Sequence, residues 1–124
     1  MSNYTLSSMS LRLLAGVHSD LVRVAILALQ YSDVDFGITE GVRSQDRQKW
    51  LFAQGKTKTL NSKHLRGEAF DIVCYNEDGK VTWDRKYYRR VSEYMYRAAE
   101  ELGVTIKWGG DFKTFFDGPH FELI

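Results

Sequence analysis

Two short segments of the chain carry residue types that hold metals and move protons. The first is Ser62-Lys63-His64-Leu65-Arg66-Gly67-Glu68-Ala69-Phe70-Asp71, which sets an imidazole ahead of a strand-like run and a carboxylate inside it. Strand alternation puts Ala69, Asp71 and Val73 on one face and Phe70, Ile72 and Cys74 on the other. Asp71 therefore interrupts an apolar run, and an ionised carboxylate there is costly unless a cation or several donors meet it. The second segment is Asp117-Gly118-Pro119-His120-Phe121-Glu122. Here another imidazole begins a strand, with His120 and Glu122 on one face and Phe121 and Leu123 on the other. Pro119 restricts the backbone beside His120 and helps to fix where the ring points. Two histidines and one carboxylate give three protein ligands and leave one position for water. That is the donor set of a catalytic zinc site, whereas a structural site is closed by four ligands.

Spacing alone leaves other assignments open. A histidine at a strand edge is commonly a structural residue, and Asp71 can pair with Arg66 or another base. The separation of His64 from His120 matches no short local zinc motif. His18 precedes the first expected helix and should close a turn rather than ligate. Asp111, in a Gly-Gly-Asp turn, is expected to hold backbone amides, while Trp108 and Phe112 either line a cleft or cover the core.

The elements that must position these groups follow from periodicity. Residues 19–31 predict a helix capped by Ser19, with Leu21, Val22, Ala25, Ile26 and Leu29 at helical spacing. Val24, Leu27 and Ala28 make it apolar nearly all round, which predicts a buried central helix. Phe36 to Val42 reads as a short strand with Ile38 and Val42 on one face. A second helix starts after Ser44, with Asp46 in its first turn, and stops near Gly55. Lys56 to Lys63 is polar and reads as loop, and Glu68 to Tyr75 as a strand. The turn Asn76-Glu77-Asp78-Gly79 then leads to a hairpin partner at Lys80 to Trp83. Asp84 can cap a long third helix that ends before Gly103, with Tyr87, Tyr88, Val91, Tyr94, Met95, Ala98 and Leu102 on its inner face. Val104 to Trp108 and Pro119 to Ile124 complete the strands, with a turn at Gly109-Gly110. Three helices with several short strands, grouped rather than strictly alternating, describe an α+β fold.

Composition bounds the rest. The 124 residues are 44% hydrophobic and 14% aromatic, enough for one core and one domain over residues 1–124. A chain of this size buries roughly two thirds of its unfolded surface, so it needs no metal merely to fold. The net charge of +1 gives no reason to expect a nucleic-acid partner. The charge is unevenly placed, however. Between Arg43 and Arg66 there are seven basic residues (Arg43, Arg47, Lys49, Lys56, Lys58, Lys63, Arg66) against one acid, Asp46. Such a run is either a solvated face or a basic rim suited to an anionic substrate. Cys74 is the only cysteine, which excludes an internal disulfide and a cysteine-type zinc cluster and fits a buried small hydrophobe. The N-terminus does not have the pattern of a signal peptide, and the most apolar stretch, Leu21 to Leu29, is too short to span a bilayer. The expectation is a monomeric protein made in a cytoplasm, without stable membrane association.

The pattern S-x-H-x-x-G-x-A-x-D, met by Ser62, His64, Gly67, Ala69 and Asp71, resembles that of the D-alanyl-D-alanine carboxypeptidase superfamily of zinc peptidases. The later Trp108-Gly109-Gly110-Asp111-Phe112 and Asp117-x-Pro119-His120-Phe121-Glu122 are similar to the branch containing phage endolysins that cleave L-alanyl-D-glutamate bonds. Gly16-Val17-His18-Ser19-Asp20-Leu21 and Glu40-Gly41-Val42-Arg43-Ser44 are also similar, so the likeness covers nearly the whole chain in order.

The resemblance implies a small antiparallel sheet packed with about three helices, as in D-alanyl-D-alanine peptidases and the hedgehog signalling domain. It implies Zn2+ held by His64, Asp71 and His120, with Asp117 as general base and Arg43 as the cation that binds substrate and steadies the oxyanion. Glu122 is the rival base, or a support for His120. Ser62 binds substrate, orients His64 or forms the turn. The implied partner is the peptidoglycan stem peptide, reached from the cytoplasm through a membrane lesion, and the implied reaction is hydrolysis of its L-alanyl-D-glutamate bond. The competing functions are a D-alanyl-D-alanine carboxypeptidase or dipeptidase, and a non-catalytic zinc-containing binding module.

Overall fold

In the computed structural model, which describes residues 4–124, the chain is folded as an α+β assembly. Residues 1–3 of the expected domain lie outside the described residues. The order is α1 (Ser8–Leu13), α2 (Ser19–Tyr31), β1 (Phe36–Glu40), α3 (Gln45–Ala53), a 3-10 turn (Lys63–Arg66) and β2 (Ala69–Tyr75). Then follow β3 (Val81–Thr82), α4 (Arg85–Leu102), β4 (Ile106–Trp108), a 3-10 turn (Gly109–Asp111) and β5 (His120–Leu123). The sheet runs β1-β2-β5-β4, with β3 paired to β2, and every pairing is antiparallel.

The pleat of β2 divides the molecule. Phe70, Ile72 and Cys74 enter the core with Phe36, Ile38, Ile106, Trp108 and Phe121. Phe70 stacks on its cross-strand partner Phe121 with ring centroids 5.7 Å apart. The helices α2 and α4 pack on each other and close this core. Both carry buried alanines (Ala25, Ala28, Ala98, Ala99), whose small side chains allow close approach. Each fully buried Leu, Val or Met here contributes about 1.5–3 kcal/mol. Cys74 is fully buried, and burial pushes its thiol up to about 12. No helix among the described residues is long and apolar enough to cross a membrane.

Several local expectations needed correction. The described residues hold four α-helices rather than three, because Ser7 caps a short helix, α1, by accepting from the Ser10 N–H. Ser10 Oγ in turn accepts from Ile38 N–H at 3.0 Å and so ties α1 to β1. The cap of α2 is His18, whose Nδ1 accepts from Asp20 N–H at 3.1 Å, and not Ser19. The buried stripe of α2 is Leu21, Val24, Ala25, Ala28 and Leu29, while Ile26 is 39% exposed. The strand β1 ends at Glu40 after a register shift between Ile38 and Glu40, so Val42 lies outside it and is exposed. The caps Ser44 and Asp84 and the left-handed stop at Gly103 stand where the sequence put them.

Candidate active site and metal centre

The face of β2 opposite the core carries the polar row. Register places Glu40, Asp71 and His120 opposite one another across β1, β2 and β5, and sets Ala69 against Glu122. Residues paired in register project to the same face, so core packing on one side fixes the polar groups on the other. His64 reaches this row from the 3-10 turn, which Ser62 caps by accepting from His64 N–H at 3.2 Å. Gly67 ends the turn at φ +69°, and a Cβ there would meet the Gly16 carbonyl at 2.4 Å. Only glycine suits both demands.

His64, Asp71 and His120 converge, with one ligand atom from each lying within 4.8 Å of the others. Asp71 Oδ1 stands 3.3 Å from His64 Nε2 and 3.2 Å from His120 Nδ1. The remaining nitrogen of each ring is held from behind. His64 Nδ1 bonds the Gly41 carbonyl at 2.9 Å, and His120 Nε2 bonds Glu122 Oε1 at 2.8 Å. Metal-binding histidines are typically held in this way, with one nitrogen donating to a carbonyl or carboxylate and the other turned to the ion. Three inward donor atoms from two imidazoles and a carboxylate fit a borderline-soft ion such as zinc and would leave a position open. The alternative pairing of Asp71 with Arg66 does not occur, since Arg66 bonds Glu68 at 2.9 Å and Asn61 at 2.8 Å.

The electrostatics follow the same geometry. Burial works to raise the Asp71 carboxyl, but hydrogen bonds and charge from His120 and His64 outweigh it and hold it well below the usual carboxylate range. Burial works against the charged form of His120, yet its bonds to Asp71 and Glu122 push it up to about 9. Burial also opposes ionisation of Glu122, but His120 and Lys63 hold its carboxyl below the ordinary value. Asp117 behaves differently. Burial and the neighbouring charge of Asp71 raise it, and His120, His64 and Arg43 only partly offset that rise.

Arg43 sits at the edge of this cluster with its side chain only 11% exposed. Its Nε and Nη2 face Glu40 Oε1, its Nη1 donates to Gln48 at 2.8 Å, and Nη2 lies 4.0 Å from Asp71 Oδ2. The backbone of Asp117 is fixed by donation to the Gly109 carbonyl at 3.0 Å. Gly109 has to lack a side chain, because a Cβ would stand 2.1 Å from the Asp117 carbonyl. Ser62, Arg43, Asp117 and the three converging groups all line one groove of about 800 Å3, with Lys56, Lys58 and Lys63 on one side and Phe112, Lys113 and Phe115 also in its lining.

The structure thus gathers every residue that sequence reasoning singled out for chemistry. The basic run is split, however. Lys56, Lys58 and Lys63 border the groove, whereas Arg47 stacks over Trp50 and Arg66 pairs with Glu68. Asp111 does not hold backbone amides, because its carboxylate accepts from the Tyr96 hydroxyl at 2.8 Å. Trp108 is core, while Phe112 faces the His120 ring at 5.7 Å. Glu40, Gln48 and Lys113 were not anticipated. Of the three, only Glu40 lay in a segment already singled out, Glu40-Gly41-Val42-Arg43-Ser44, and there it had no role assigned.

The chain is similar to several known peptidases. The L-alanyl-D-glutamate peptidase of Escherichia phage T5 is 31% identical over 126 residues, covering 90% of this chain and 91% of that protein. The peptidoglycan L-alanyl-D-glutamate endopeptidase CwlK of Bacillus subtilis is 37% identical over 105 residues, and the match spans 73% of this chain but only 62% of CwlK. The crystal structure of the Serratia marcescens L-Ala D-Glu endopeptidase ChiX superposes with a TM-score of 0.92 at 44% identity, covering 98% of this chain and 92% of that one. With the sequence model of that family matching residues 1–124 from end to end, the chain belongs to the phage L-alanyl-D-glutamate peptidase family.

Proposed function

We propose that residues 1–124 form a single zinc peptidase domain that hydrolyses the L-alanyl-D-glutamate bond of the peptidoglycan stem peptide. His64, Asp71 and His120 hold the ion. The observation that carries this is the convergence of three donor atoms whose two imidazoles are each fixed from behind, by Gly41 and by Glu122. Membership of the peptidase family supports the choice of bond.

A zinc ion in such a site lowers the pKa of water to about 7 and polarises a carbonyl oxygen. Asp117 takes a proton from the attacking water and delivers it to the leaving amine as the C–N bond breaks. Its raised affinity for protons suits both halves of that task. Arg43 has five N–H donors and commits three to Glu40 and Gln48, so two remain for the oxygen that gains charge. Glu122 has its carboxylate engaged with His120 and Lys63, so it acts as a support and not as the base. Ser62 orients His64 by capping its turn and borders the bound substrate. The lysines of the groove meet the carboxylates of the stem peptide. The protein works as a monomer and reaches the wall after the membrane is permeabilised.

Mass analysis of a muropeptide digest tests this. The expected products are glycan ending in L-Ala and a free peptide beginning with D-Glu. Loss of a terminal D-Ala would instead assign a carboxypeptidase, and intact muropeptides with zinc bound would leave a binding module.

A further inference from the structure

Gln48 lies on the inner side of α3 and is 0% exposed. A buried primary amide has to be matched, donor to acceptor. Its Oε1 accepts from Arg43 Nη1 at 2.8 Å, and its Nε2 donates to the Thr59 carbonyl at 2.7 Å, with Thr57 Oγ1 at 3.4 Å. These partners fix which end of the amide is which, because a guanidinium only donates and a carbonyl only accepts.

The two partners belong to different parts of the groove. Arg43 follows β1, whereas residues 56–61 form a wall that contains neither helix nor strand. That wall is tied at its entry by Lys56 N–H to Leu51 O at 2.9 Å, and at its exit by Arg66 to Asn61 at 2.8 Å. Between those ties, Thr59 N–H to Thr57 Oγ1 (3.5 Å) and Asn61 N–H to Thr59 Oγ1 (3.0 Å) are local bonds within the wall. The Gln48 amide is what ties its middle to the helix. Glu40 Oε1 holds one edge of the Arg43 guanidinium, which leaves rotation about that edge; the bond from Nη1 to Gln48 removes it.

We propose that Gln48 is a positioning residue with two separable duties. Its carbonyl end aims Arg43 into the groove, and its NH2 end pins the Thr57–Thr59 wall against which substrate binds. The first duty acts on turnover and the second on substrate affinity. The inference rests on the peptidase reading of the groove.

Two substitutions separate the duties. Gln48→Glu keeps an acceptor for Arg43 but sets an oxygen against the Thr59 carbonyl; Gln48→Met removes both bonds at similar length. Both variants are assayed for kcat and KM on purified muropeptides, and for amide hydrogen exchange across residues 56–61, which needs no turnover. Gln48→Glu should keep kcat within about threefold, raise KM about tenfold and speed exchange in the wall. Gln48→Met should show the same exchange and KM effects with kcat lower by about tenfold or more. Equal kcat losses in the two variants, or unchanged exchange in Gln48→Glu, would overturn the proposal. If Gln48→Met does not fold, Gln48→Glu decides alone through its split of KM from kcat and its exchange. If the wild-type protein releases no L-Ala-ended glycan, it is the peptidase reading that fails, and exchange still reports whether Gln48 pins the wall.

Discussion

Beyond one end of the β1–β2 pair lies the groove of about 800 Å3 that holds His64, Asp71 and His120. Beyond the other end lies a second cleft of about 480 Å3, lined by Asp33, Asp35, Tyr75, Asn76, Glu77 and Tyr87 among others. Both are open, polar and partly aromatic, and each carries three acidic side chains: Asp33, Asp35 and Glu77 in the second, Asp71, Asp117 and Glu122 in the groove. Yet two of the second cleft's three acids, Asp33 and Glu77, are answered separately. Asp33 pairs with Arg90 at 3.0 Å, Glu77 accepts from the Tyr87 hydroxyl at 2.6 Å, and Asn76 Oδ1 caps its own turn by accepting from Asp78 and Lys80 N–H. In the groove the same kinds of group are turned toward a shared point and toward one another. Concavity and charge are common to both places; convergence is confined to one. That convergence is the ground for proposing the groove, and not the second cleft, as the catalytic one.

The sharpest contrast comes from one substitution made at each end. Asp117→Asn removes the proposed proton acceptor of the groove and should lower kcat by about 10²- to 10⁴-fold with zinc still bound. Asp35→Asn in the second cleft should change kcat by less than about twofold, because it touches no group of the groove. Steady-state assays with zinc content measured on the same samples check both.

Proton competition gives a second contrast. Without metal, His120 holds both protons, donating to Asp71 and Glu122, up to a pKa of about 9. If zinc binds as proposed it has to displace the Nδ1 proton, so each unit of rising pH between 7 and 9 should strengthen apparent binding about tenfold, and the gain should flatten above 9. Competition with a chelator across that range measures it. A pH-independent affinity would mean that the ion binds elsewhere. Substituting Glu122→Gln weakens the hold on His120 and should cost about 10- to 100-fold in zinc affinity in the same assay.

The smallest effect on activity belongs to the far end. Tyr88 donates to the Thr82 carbonyl at 2.8 Å and accepts from Cys74 N–H at 3.2 Å, which joins α4 to the end of β2. Tyr88→Phe strips both bonds from a buried place and should cost about 1–3 kcal/mol in denaturant unfolding. Turnover below the melting temperature should be unchanged.

Alternation made part of the proposed site legible in the sequence, while the choice of ligands and the roles of Asp117, Arg43 and Ser62 came from the family resemblance. An acid at position 71 inside the run Phe70 to Tyr75 had to face away from the core, and His120 with Glu122 had to share a face. Long helices with clear caps, such as α4 behind Asp84, were equally legible. The misses share a cause. The short helix α1 has too few turns for periodicity to register, and it is stabilised by Ser10 bonding to a strand 28 residues away. The end of β1 depends on a register shift, which no side-chain pattern announces. Gln48 looks like any polar residue of a surface helix until the wall and Arg43 fold over it. Sequence pattern reports which face a residue takes on its own element; it does not report what other elements bring to that face.

The most direct measurement is zinc stoichiometry, by elemental analysis of dialysed protein with folding checked by circular dichroism, alongside muropeptide turnover. The wild-type chain should carry one zinc per molecule and lose turnover when the ion is stripped. His120→Ala should stay folded and lose both zinc and turnover, while Asp117→Asn keeps the zinc and loses only turnover. A His120→Ala protein that retains a full equivalent of zinc, or a zinc-free wild type that still releases L-Ala-ended glycan, would contradict the account.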